Sequence, residues 1–81
     1  MPYIARERRS ALAYGDSPKT AGELNFVITD KVMSYVEAQG PISYATLNEV
    51  LGVLEAAKQE FYRRVVAPYE DKKCKENGDV Y

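Results

Sequence analysis

The sequence contains no histidine, no tryptophan and only one cysteine, Cys74. The missing imidazoles and the solitary thiol remove the usual ligand sets for zinc and exclude an intrachain disulfide, so neither a metal nor a covalent staple is expected to hold the fold. Long hydrophobic runs are also missing. No segment approaches the length of a membrane span or a secretory h-region, and the arginine-rich start is interrupted by Glu7 rather than followed by an apolar stretch. The expected location is therefore the cytoplasm, where an unpaired cysteine is unremarkable. Neither charge sign dominates: eleven basic and twelve acidic side chains give a formal net charge of -1, which argues against nucleic acid and anionic membranes as partners. There is no glycine-rich phosphate loop, no paired-histidine metal motif and no Gly-x-Ser-x-Gly elbow, so the chain is expected to be no enzyme and to carry no cofactor. Cys74 sits among Lys72, Lys73 and Lys75, but with no histidine to act as its base it reads as a bystander rather than a nucleophile.

What is present is helical. Eighty-one residues make one helical domain, residues 1–81, and a chain this short buries only about 60% of its unfolded surface. Without a metal or disulfide, self-association is the favoured staple, and a homo-oligomer is expected. A first short helix is expected from Pro2 to Tyr14, carrying Ile4, Ala5, Leu12 and Ala13 as a thin apolar face. Gly15, Asp16, Ser17 and Pro18 then supply a flexible backbone, an Asx-type acceptor and a fixed φ, the ingredients of a loop.

Thr20 followed by Glu23 makes a capping box for a second helix, about residues 21–39, in which each side chain is expected to satisfy an orphaned amide of the other's region. Leu24, Val27, Ile28, Val32, Tyr35 and Val36 fall at helical spacing, and Gly40-Pro41 ends the run. Phe26 and Met33 occupy a neighbouring stripe, which widens the apolar arc toward either the N-terminal helix or a subunit interface. Ser43 is a good N-cap for a third helix, about residues 44–66, with Ile42 and Leu47 placed as a hydrophobic staple. Its stripe is Leu47, Val50, Leu51, Leu54, Ala57, Phe61 and Val65, and Pro68 is expected to stop it. Gly52, in the middle, reads either as a close approach by another backbone or a ligand, or as tolerated drift. Beyond Pro68, acids precede lysines and Asn77-Gly78 closes the segment, the polarity of a short fourth helix. The fold expected is all-α: a hairpin of two long helices with short helices at either end.

Seven tyrosines against two phenylalanines favour half-buried positions, interfaces and stacking platforms. Tyr35, Tyr44 and Tyr62 are accounted for by helical spacing as rim residues. The sharper cluster is Arg63, Arg64 and Tyr69, with Tyr62 beside it. Arginine forks hold phosphate or carboxylate and a tyrosine can stack on a base, which together suit a nucleotide-sized anion. Against that, Glu60 and Arg64 are an i, i+4 pair of the kind that merely stabilises a helix. Arg6, Arg8 and Arg9 admit an anion-binding edge or a solvated helix face, and the solvated face is favoured. Val80 and Tyr81 are large residues that would gain by docking onto a core or a neighbouring subunit.

The start Met1-Pro2-Tyr3-Ile4, the segment from Glu23 to Thr29, the stretch from Ser43 to Glu55, and the ending from Glu60 to Asp71 and Glu76 to Tyr81 resemble a family of short uncharacterised proteins from bacteriophages and bacteria. The resemblance covers nearly the whole chain and departs between Ala5 and Ala21, so it lends no role to Arg8 or Arg9. It implies a compact viral or bacterial accessory protein rather than a reaction, and an ending that docks or binds. By analogy with small phage proteins, such a chain modulates its host by inhibiting a host protein or sequestering a nucleotide signal of antiviral defence, with Arg63, Arg64, Tyr62, Tyr69 and the tail as contacts. The alternative is a structural or regulatory helical adaptor that binds only protein.

Overall fold

A computed structural model describes residues 3–81. Among them the chain is all-helical and contains no strand. The elements are α1 (Arg6–Ala13), α2 (Ala21–Ala38), α3 (Tyr44–Phe61), a π-helical turn (Tyr62–Val66) and α4 (Ala67–Asn77). They fall into two compact units, one ending at Leu47 and the other running from Asn48 to Tyr81.

In the first unit, the Pro2 expected to open α1 lies outside the described residues. The helix starts later than expected, at Arg6, after an extended Ala5 with ψ 146° and no side-chain cap. Gly15, at φ 107°, supplies the left-handed turn that ends it, and Asp16 Oδ1 accepts the Ser17 N–H at 3.0 Å. At the start of α2, Thr20 Oγ1 accepts the Glu23 N–H at 3.1 Å, as a capping box requires. The reciprocal half differs. Glu23 Oε1 accepts from the Lys19 N–H at 3.0 Å, one residue before the expected amide, because Arg8 holds the carboxylate in place from α1.

Helix α1 packs on α2. Leu12 on the first and Val36 on the second are buried to 6% and 3% exposure, each stabilising the fold by roughly 2 kcal/mol. Phe26 is half-buried and lines a 270 Å³ hollow with Leu12, Ala13 and Val27. Of the two uses foreseen for it, packing of the N-terminal helix is the one it serves within the chain. Met33 stays about half exposed. Ser43 caps α3 as expected, its Oγ accepting the Thr46 N–H at 3.2 Å, but Ile42 remains largely exposed, so the staple buries little.

In the second unit, the expected stop at Pro68 does not occur. The backbone stays helical through Val66 (φ -72°, ψ -48°) and Ala67 (φ -61°, ψ -46°), and the Ala67 N–H donates to the Tyr62 carbonyl, five residues back. A π-turn inserts one extra residue per turn and widens the helix. It delivers Pro68 into the first turn of α4, where a missing N–H costs little and the fixed φ suits a helix start. Helix α4 closes at Gly78, whose φ is 83° and whose N–H donates to the Cys74 carbonyl at 2.8 Å, the expected Asn-Gly ending. Val80 and Tyr81 do not dock on the chain's own core: they are 85% and 110% exposed. Along α3, Val50 is buried while Leu51, Leu54 and Phe61 are not. A Cβ built on Gly52 would meet nothing within 4 Å, so no close approach within the chain explains that glycine.

Candidate functional site around the π-turn

The residues singled out from sequence as ligand contacts lie in and beside the π-turn. Arg63 Nη2 donates to both oxygens of Glu60, at 2.9 and 3.1 Å, and Arg64 Nε donates to Glu60 Oε1. One carboxylate one turn earlier thus holds both guanidinium groups. Arg64 and Arg63, in that order, pull the Glu60 carboxyl below the usual carboxylate range. Both arginine side chains remain more than two-thirds exposed, so the pairs are screened, readily exchanged and individually weak.

Tyr62 donates its hydroxyl hydrogen to Glu70 Oε1 at 2.8 Å, across the π-turn. That bond, together with the negative charge of Glu70, pushes the Tyr62 phenol above its ordinary value, with desolvation and Asp71 adding to the effect. On a uniform α-helix, residues eight apart point roughly 80° away from each other. The wider turn closes that offset, which is why regular spacing does not show Glu70 as a partner of Tyr62. Tyr69, which the sequence groups with the arginines, takes Lys73 Nζ at 5.6 Å from its ring centroid, a cation–π distance, while Lys73 also reaches Glu76 at 3.2 Å.

Tyr62 and Arg63 share an open groove of about 750 Å³ with Glu55, Lys58, Phe61 and Val66; Arg64 and Tyr69 are outside its lining. A second, 480 Å³ groove takes Val80 and Tyr81 together with Asp71 and Cys74. The four predicted contact residues are therefore brought to one segment, yet they do not converge on a single anion-sized space. Chemically the segment offers exposed aromatic faces beside arginine forks. Among the described residues, no group of three acidic or cysteine side chains is placed to hold a metal ion, and no helix is long and apolar enough to cross a membrane.

Sequence reading missed a second constellation, Arg8 with Glu23 and Asp16. Arg8 Nε and Nη2 meet the two oxygens of Glu23 at 3.0 and 2.7 Å, Nη1 meets Asp16 Oδ2 at 2.7 Å, and Nη2 lies 3.4 Å from the Ser17 carbonyl. Arg8 is thus an internal clamp rather than part of a solvated face. Arg8, then the Lys19 amide, hold the Glu23 carboxyl at about 2, and Arg8, then the Ser17 amide, lower that of Asp16. Opposite charges flanking the loop were the available signal, but spacing alone could not choose among Arg6, Arg8 and Arg9.

Neither a curated protein nor a solved structure matches the chain. A family model, described as a domain of unknown function (DUF6899), matches residues 1–80, and the chain belongs to that family.

Proposed function

We propose that this chain is a non-catalytic binding protein, a phage-type accessory protein that assembles as a homo-oligomer in the host cytoplasm and inhibits a host protein by occupying its surface. The observation that carries this reading is the exposed run of aromatic and arginine side chains at the π-turn: Tyr62 at 52%, Tyr69 at 60%, and Arg63 and Arg64 at 69% and 68%. Tyrosine and arginine are the residue types that dominate the energetics of protein interfaces, because each combines a large flat contact with a directional polar end. π-turns are frequent at functional positions.

A protein target is favoured over a nucleotide signal by the state of the arginines. Both bond to Glu60 on the same helix, whose one negative charge offsets only one of the two, and only Arg63 lines the open groove, whereas a phosphate site needs forks that open onto a shared concavity. A purely structural adaptor is the other reading, in which the same tyrosines and arginines serve only self-assembly.

The test is capture of host protein by tagged chain, compared with Arg63→Ala and Tyr69→Ala. Loss of one stoichiometric partner in both variants, with their oligomeric state unchanged, supports target binding. Loss of the oligomer itself in both variants supports the adaptor. A nucleotide-sized mass retained by the wild type and lost in Arg63→Ala supports the signal-sequestering reading.

A further inference from the structure

We infer that the exposed stripe of α3 is a self-pairing face on which a second copy of this chain lies antiparallel, Leu51 of each copy opposite Phe61 of the other. This rests on the reading of the protein as an oligomer and goes further by assigning the face, the direction and the register.

Leu51, Leu54, Lys58 and Phe61 of α3 recur at intervals of three, four and three, the heptad spacing by which one helix packs along another. Leu51 is 65% exposed, Leu54 38% and Phe61 60%. Each large apolar side chain left partly in water forfeits some of the gain of burial, and their common spacing selects a helix as the occupant.

Lys58, in the middle of the seam, fixes which helix and which way it runs. In a parallel, in-register pair the two copies of Lys58 would face each other, stacking like charges in an apolar layer. Reversing the second helix about a two-fold axis at Ala56 separates them. Leu51 then meets Phe61, and Leu54 meets Lys58, whose methylenes cover the leucine. The lysine's ammonium group reaches Glu55 of the second copy, next to that leucine, and the symmetry makes this ion pair twice. Within one chain Glu55 and Lys58 already form a loose pair at 3.8 Å, with both side chains more than half exposed, and such a pair is easily remade across an interface. A polar residue at one seam position is a known device for setting register and orientation at some cost in stability. The same stripe is thus complementary to itself in apolar spacing and in charge, as a two-fold interface requires.

The experiment uses the full chain with Cys74→Ser as background. Single variants Leu51→Cys and Phe61→Cys are mixed and oxidised, with Lys58→Cys oxidised alone. The pairing predicts a disulfide between Leu51→Cys and Phe61→Cys chains and little coupling of Lys58→Cys to itself. By sedimentation velocity Leu54→Glu is a monomer with unchanged helical circular dichroism. Lys58→Glu weakens the dimer, and the double variant Glu55→Lys/Lys58→Glu restores it. A wild-type chain that is monomeric at every concentration overturns the pairing and leaves target capture to its own assay. Efficient Lys58→Cys self-coupling overturns the direction, and an oligomer that survives Leu54→Glu overturns the face.

Discussion

Arg8 and Glu23 meet as a two-point fork, Nε to Oε2 at 3.0 Å and Nη2 to Oε1 at 2.7 Å, across fifteen positions of sequence. The fork ties α1 to the first turn of α2. Asp16 and the Ser17 carbonyl take two further guanidinium donors, so the loop between the helices is held by the same cation. Glu23 is only 8% exposed, and a carboxylate so placed depends on its partner to stay charged.

Acid should loosen this unit. The Glu23 carboxyl sits at about 2 when folded, against an ordinary value of 4.5. A depressed folded value means that the group stabilises the fold fully above the unfolded value and less as protons bind. Melting temperature should therefore fall as pH drops from about 4.5 toward 2. Arg8→Ala should melt lower than wild type at neutral pH and show a shallower acid slope, because the cation that depresses Glu23 is gone. Thermal melts followed by circular dichroism from pH 6 downward check both; parallel slopes would contradict the clamp.

Thr20→Ala should cost about 1 kcal/mol, the usual value of an N-cap, since it removes the acceptor for the Glu23 N–H. Thr20→Asn should recover most of it. Urea titration measures the loss, and an effect close to zero would mean that Glu23 alone suffices to start α2.

Leu12→Ala should cost about 2–3 kcal/mol, at the low end of leucine truncations, because α1 is short and the 270 Å³ hollow beside it can partly collapse. Chemical denaturation gives the figure.

Gly52→Ala should stabilise the chain by about 1 kcal/mol, the ordinary helix preference, because a Cβ there meets nothing within 4 Å. On the proposed self-pairing Gly52 also lies beside the seam and not in it, so the dimer should persist. A destabilised or dissociated variant would mean that a partner's backbone approaches this glycine.

How much of this was legible in the sequence follows from how local each determinant is. Thr20, Ser43 and the Asn77-Gly78 ending act on their own neighbours, so α2, α3 and the close of α4 can be read from short motifs. Pro68 was misread because its usual effect assumes constant helical pitch. The extra residue of the π-turn absorbs the proline, and nothing at Tyr62–Val66 announces such a turn in composition. The pairing of Tyr62 with Glu70 was hidden for the same reason. Arg8 was hidden for another: its partners lie across a loop, where charge can be seen but geometry cannot. The candidate contacts Arg63, Arg64, Tyr62 and Tyr69 were legible as a chemical type, and their division between Glu60, Glu70 and Lys73 was not.

The most direct measurement is native mass spectrometry of the chain mixed with lysate of a bacterial host, read for subunit count, bound protein and bound small molecules together. The account predicts an oligomer that acquires one defined protein partner, carries no nucleotide-sized mass, and loses the partner with Tyr69→Ala while keeping its subunit count. A nucleotide-sized adduct that disappears with Arg63→Ala would contradict it and make the arginines a ligand site.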